Sequence, residues 1–124
     1  MLSLPWPPST NNAYLITRGR KVKTQAARRY AQDVTVACAT AEMRALRAYA
    51  RALDDPRFAV TFIVHEPDRR RRDLSNLEKI ATDAVFTWLN QDDCRIDDHH
   101  TIRAERMKPG SLTLRITCHP RGDA

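Results

Sequence analysis

The stretch RFAVTFIVH, from Arg57 to His65, limits the possible folds more than any other part of the chain. Phe58, Val60, Phe62 and Val64 alternate with Ala59, Thr61 and Ile63, which is the two-residue period of a β-strand. Both sets are largely apolar, as in strands flanked and covered by other elements, so this strand is expected at the centre of a sheet. The chain then changes character within a few residues, to EPDRRRR and on into DLSNLEK.

Beyond the arginines, Leu74, Leu77, Ala81, Ala84 and Trp88 recur at helical spacing, predicting a helix from about Asp73 or Ser75 to Trp88. An acidic loop, Asn90-Gln91-Asp92-Asp93, follows it. Two short strands, roughly Thr101 to Met107 and Leu112 to Cys118, close the chain about a Lys108-Pro109-Gly110-Ser111 turn. Upstream, Leu2 to Trp6 alternates as a short edge strand, and Pro7 to Asn12 forms a turning loop. Ala13 to Thr24 reads as a β-hairpin turning near Arg18-Gly19. From Thr24 to about Leu53 the apolar positions Tyr30, Val34, Ala37, Ala41, Met43, Leu46, Ala50 and Leu53 predict one long helix or two abutting ones, ended by Asp54-Asp55-Pro56. The order hairpin-α-β-α-β-β specifies an α/β (α+β) fold with helices packed on a sheet.

At 124 residues, the chain is expected to form a single domain over 1–124. A hydrophobic share of 42% with 29% charged residues excludes a disordered chain. The 21 basic against 15 acidic residues leave a net charge of +6, which favours a polyanionic partner, nucleic acid before membrane. No apolar run reaches the roughly 18 to 20 residues of a membrane span, and the proline-broken MLSLPWPPSTNN is not a signal peptide. Cys38, Cys94 and Cys118 are scattered, without a CxxC pair, and are expected as reduced thiols in the cytoplasm.

Two readings of PDRRRRDLSNLEK stand side by side. In one, Ser75-Asn76-Leu77-Glu78 is an S-x-x-E capping box, Asp73 a favourable charge at a helix start, and the arginines a solvated loop. In the other, the stretch is a nuclease site. Phosphodiester hydrolysis needs a hard divalent cation held by carboxylates, and cationic groups on the substrate phosphates. Ser75 and Lys79 lie one helical turn apart on a polar face with Asn76 and Asp83 nearby. Asp92 and Asp93 lie past the far end of the same helix, roughly 22 Å away along its axis. Only a strand returning beside the one ending at His65 could bring Asp93 near Asp73. His99-His100 beside Asp97-Asp98 reads as a polar turn, and Arg18, Arg20, Lys21 and Lys23 as phosphate contacts at the hairpin tip.

LPWPPSTNN, PDRRRRDLSNLEK and DDCRI, in that order and spacing, resemble the RusA family of Holliday junction resolvases over nearly the whole chain. The resemblance implies a mixed sheet flanked by helices, a homodimer, Mg²⁺, and paired symmetric nicking of four-way branched DNA. The family pattern D-x-D-N-x-x-K places its first aspartate on Asp73, its asparagine on Asn76 and its lysine on Lys79. The third catalytic acid falls on Asp93, with Asp92 as the alternative. Asp73 and Asp93 would then hold the metal, Lys79 the attacked phosphate, and Arg69, Arg70, Arg71, Arg72 and Asn76 the DNA. The second aspartate falls on Ser75, which can reach a metal only through its hydroxyl or a bound water. That departure leaves open a two-acid enzyme, one helped by Asp92 or Asp83, and a junction-binding protein with little activity. The expected location is the cytoplasm of a bacterial cell or phage-infected host.

Overall fold

The computed structural model describes residues 1–9, 14–17 and 19–122, with residues 14–17 and 21 described by their backbone. Arg18 and the Asn11-Asn12 pair fall outside the described residues. In chain order the elements are β1 (Leu2–Pro5), β2 (Tyr14–Thr17), β3 (Arg20–Lys23), α1 (Gln25–Ala37), α2 (Ala41–Ala52), β4 (Pro56–His65), α3 (Leu74–Leu89), a 3₁₀ turn (Asp93–Arg95), β5 (Ile96–Arg103) and β6 (Ser111–Pro120). This is an α+β arrangement. Strands β2 and β3 form the expected hairpin, apart from a four-stranded sheet ordered β1-β6-β4-β5. β4 pairs antiparallel with β6 and parallel with β5, so the sheet is mixed. No described helix is long and apolar enough to cross a membrane.

β4 is central, as its composition demands, but only one of its faces is sealed. Phe58, Val60, Phe62 and Val64 are at most 2% exposed, and Leu2, Leu4, Leu112 and Leu114 share that face through the strand register. Phe86 of α3 meets Phe58 edge-on, with ring centroids 5.0 Å apart. Ala59, Thr61 and Ile63 on the other face are half-buried, as is Thr113 beside Ile63. The apolar character of both faces therefore reflects a central position in the sheet, with one face carrying the helices.

The stretch from Thr24 to Leu53 makes two helices. Thr24 caps α1 by accepting from the Ala27 N–H at 3.2 Å, and Thr40 caps α2 by accepting from the Met43 N–H at 3.1 Å. A threonine that satisfies the orphan donors of a new helix favours a break over continuation. The break lets α1 pack on α3 and β1 while α2 packs on β6.

The polar turn expected at Asp97 to His100 is instead the body of β5, which begins at Ile96 rather than Thr101. As an outer strand it pairs through its backbone, and its exposed side chains carry no apolar alternation to read.

Gly110 closes the turn before β6 at φ +92°, with its N–H donating to Met107 O at 2.6 Å. A Cβ there would lie 2.9 Å from Pro67 Cδ and 3.0 Å from the Trp6 ring. Gly110→Ala is expected to destabilise the fold by about 1–3 kcal/mol through strain at this positive φ, with Trp6 displaced. Urea unfolding followed by tryptophan fluorescence measures both effects.

Candidate active site

Asp73, not Ser75, is the N-cap of α3. Its Oδ1 accepts from the Ser75 N–H at 3.0 Å and from the Ser75 hydroxyl at 2.7 Å. Those two bonds, the hydroxyl foremost, hold the Asp73 carboxyl below the usual carboxylate range. The capping-box reading is thus corrected: Ser75 donates to the cap, and Glu78 does not return to it. The Glu78 Oε2 accepts from Thr101 Oγ1 at 2.8 Å and pairs with His99 Nε2, both on β5. A cap two residues earlier leaves Glu78 past the first turn, on the side facing β5.

The arginine loop divides into an inward and an outward part. Asp68 accepts from the Arg70 N–H at 3.0 Å, and with Arg72 nearby its carboxyl is held low. Arg72 turns inward, with Nη2 2.8 Å from Asp68 and its guanidinium 5.3 Å from the Trp6 ring centroid. Arg69, Arg70 and Arg71 are exposed. Together with Asp73, Arg103 and Arg106 they border a basic cleft of about 580 Å³ at the N-terminal end of α3. This is suitable phosphate chemistry: a helix N-terminus, exposed guanidiniums and one ionised acid. A smaller cleft beside it, about 250 Å³, is bordered by Trp6, Asp73 and Asn76.

A third cleft, about 510 Å³, runs between α3 and β5. Ser75 and Lys79 line it from the helix, with Glu78 and the buried Thr82, while Asp93 and His99 line it from the other side. Asp92 caps the 3₁₀ turn through the Cys94 N–H at 2.9 Å, a bond that holds its carboxyl low. The Asp93 carboxyl is pushed up by desolvation, by Asp83 and by Asp92.

Asp73 and Asp93 do not meet within one chain. β5 does lie beside β4, but parallel to it, with Ile96 opposite Phe58 and Arg103 opposite Val64. The acidic loop therefore sits at the start of β4, and Asp73 at its end. Asp93 neighbours Asp83, which at about 1.5 Å per residue is about 15 Å along α3 from Asp73. Among the described residues no three His, Cys, Asp or Glu side chains converge as a metal cage. The strand that leaves the acidic loop does run beside β4, but its parallel direction starts it at the opposite end of β4 from Asp73, so it does not bring Asp93 there.

Of the hairpin cations, Arg20 and Lys23 are exposed on β3, and Lys21 is described by its backbone. Glu66, Arg103, Arg106 and the Glu78–His99 pair escaped the sequence reading. The parallel register that brings Arg103 beside Val64 has no local sequence signal.

The family model described as Endodeoxyribonuclease RusA matches residues 5–117. The chain belongs to the RusA family. Among its relatives is the crossover junction endodeoxyribonuclease RusA of Shigella sonnei (strain Ss046), 36% identical over 123 residues that cover 94% of this chain and 92% of the relative. The protein of that name from Escherichia coli (strain K12) is 35% identical, and that of Enterobacteria phage 82 is 33% identical, over the same shares. As a RusA-family nuclease, the chain acts on DNA phosphodiester bonds.

The hydroxyl of Ser75 is the largest cause of the low Asp73 pKa, so Ser75→Ala is expected to raise it. Carbonyl-detected NMR titration of aspartates reads that shift. An unchanged Asp73 midpoint would contradict the hydrogen-bond geometry.

Proposed function

We propose that this chain is a single-domain, Mg²⁺-dependent endodeoxyribonuclease that resolves Holliday junctions as a homodimer. The observation that carries the reading is an ionised acid, Asp73, at a helix N-terminus bordering a cleft of exposed arginines. Anionic backbone is drawn there by the guanidiniums and the helix dipole together.

Mg²⁺ is held by one or two carboxylates plus waters and substrate phosphates, so the absence of a three-acid cage among the described residues does not conflict with it. Each chain offers two half-sites at opposite ends of α3: Asp73 with the Ser75 hydroxyl, and Asp93 beside Asp92. A two-fold pairing that brings the Asp93 of one copy to the Asp73 of the other would complete the set and give a symmetric enzyme for a nearly symmetric junction. When bound, the metal supplies an activated water and offsets charge on the attacked phosphate. Lys79 holds that phosphate. Arg69, Arg70, Arg71 and Arg106 track the strand, Asn76 lies beside it, and Arg20 and Lys23 with Arg18 and Lys21 of the hairpin hold a junction arm. The bacterial and phage sources of the relatives support a cytoplasmic location in a bacterial or phage-infected cell.

Ser75 supports a second reading, a junction-binding protein with weak cutting, since it brings no charge to the cleft it lines. A labelled four-way junction with purified protein separates the two. Paired symmetric nicks that need Mg²⁺ and vanish in Asp73→Asn are the expected result. Binding without nicks, with cutting gained in Ser75→Asp, favours the second reading. In both cases log K falls linearly with log salt, by about 0.9 per phosphate contacted, and a flat response contradicts the interface.

A further inference from the structure

We infer that Glu78 supplies the negative charge missing from Ser75 and joins Asp73 in holding the divalent cation, with His99 and Thr101 as its positioning residues. The inference rests on the nuclease reading above. It begins in the cleft between α3 and β5, where Ser75, Glu78 and Thr82 follow one another along one side of the helix, about a turn apart. Lys79 borders the same cleft, so a cation held there lies beside the residue proposed for the attacked phosphate.

Among the described residues, the acids bordering this cleft are Glu78, Asp93 and Asp97. Asp97 faces Arg57 at 3.4 Å, and Asp93 neighbours Asp83 toward the far end of the helix. Glu78 is the acid within a turn of Ser75, and helical side chains lean toward the preceding turn. Its Oε2 accepts from Thr101 Oγ1 at 2.8 Å and pairs with His99 Nε2, so β5 fixes the carboxylate through one oxygen. The His99 ring rests in turn beside Phe62, with centroids 6.0 Å apart. Oε1 takes no hydrogen bond among the described residues, and the side chain is 20% exposed. A carboxylate anchored at one oxygen and open at the other has the form of a metal ligand with its outer partners in place. Thr82 is 6% exposed, and its hydroxyl has no hydrogen-bond partner among the described residues. A buried hydroxyl of that kind is met by a water or by a ligand's polar atom, and a hydrated cation in the cleft supplies one. Asp73 stands five residues before Glu78, about 7.5 Å along the axis at 1.5 Å per residue. A hard cation that keeps several waters spans that gap by binding one carboxylate directly and the other through a water.

The test is a titration of DNA-free protein with Mn²⁺, a cation of the same oxygen-ligand preference, followed by its EPR signal. Junction binding without divalent ion and junction cutting across a range of Mg²⁺ concentrations accompany it. Glu78→Gln is expected to weaken Mn²⁺ binding at least about 10-fold and to raise the Mg²⁺ needed for cutting in proportion, with junction binding no weaker. His99→Ala leaves the carboxylate but not its anchor, and is expected to cost about 10-fold in Mn²⁺ affinity. Ser75→Asp added to Glu78→Gln returns an acid to the cleft one turn earlier and is expected to recover most of the lost affinity. Asp97→Asn removes a charge from the same cleft and is expected to bind Mn²⁺ as the wild type does. Wild-type Mn²⁺ affinity in Glu78→Gln, an equal loss in Asp97→Asn, or no recovery with Ser75→Asp overturns the inference and leaves Glu78 a tether between α3 and β5. Wild-type affinity in His99→Ala overturns the positioning role of His99. If thermal melts show that Glu78→Gln fails to fold, Glu78→Asp decides, since it keeps the charge but draws the carboxylate back by one methylene, and undiminished Mn²⁺ binding there overturns the inference. A wild type that holds Mn²⁺ through Glu78 yet never cuts overturns the nuclease reading alone, whereas a wild type that cuts while Glu78→Gln binds Mn²⁺ equally well overturns the role of Glu78 alone.

Discussion

The parallel pairing of β4 with β5 governs the arrangement of everything chemical in this molecule. Two parallel neighbours need a connection that travels back along the sheet, and α3 is that connection. Its N-terminus must therefore lie where β4 ends, and its C-terminus where β5 begins. The first consequence is that Asp73, the arginine loop and Arg103 gather at the carboxyl ends of two parallel strands, the usual place for a ligand in a sheet of this kind. The second is that Asp92 and Asp93 are sent to the opposite end. One topological fact thus builds the basic cleft and divides the acids.

At that end of the sheet, charge is layered by depth. Glu66 lies innermost, Arg72 and Arg103 flank it, and Arg69, Arg70 and Arg71 are exposed at the surface, Arg70 beside Asp68. A run of identical residues is therefore divided by depth, with Arg72 turned inward onto Asp68 and the other three exposed. Trp6, just past β1, and Gly110 from the turn before β6 close over the same point, since only a residue without a Cβ lets Pro67 and the indole approach this closely. Asp73 is at once the helix cap and an acid that borders the basic cleft. Ser75 contributes by lowering the proton affinity of Asp73, a part that does not require a second negative charge.

Legibility in the sequence followed the range of the interaction. β4, α3 and the hairpin were readable because apolar periodicity is local, and Arg57 to His65 alone announced a central strand. The break at Thr40 was present as a cap residue but hidden by helix-favouring neighbours on both sides. β5 was misread because an outer strand held by backbone bonds has no need of alternating apolar residues, and Asp97 to His100 looks like a turn. Of the residues proposed for the site, the places of Asp73 at the start of α3 and Lys79 on its polar face follow from helical spacing, and their proposed roles from the family resemblance. Glu66 was not, because a lone glutamate before a proline becomes informative only when the register brings Arg103 to it. The separation of Asp73 from Asp93 depends on strand direction, which no local pattern encodes.

The central claim is that a working site takes its two acids from different copies of the chain. Asp73→Asn and Asp93→Asn proteins, each inactive alone, can be unfolded together, refolded as mixed dimers and given a labelled four-way junction with Mg²⁺. In a mixed dimer one site then carries both substitutions and the other carries neither. Recovery of single-strand nicks in the mixture is the predicted result. A mixture as inactive as its parents, under conditions where refolded wild type cuts, would contradict the claim and place both acids of each site in one chain.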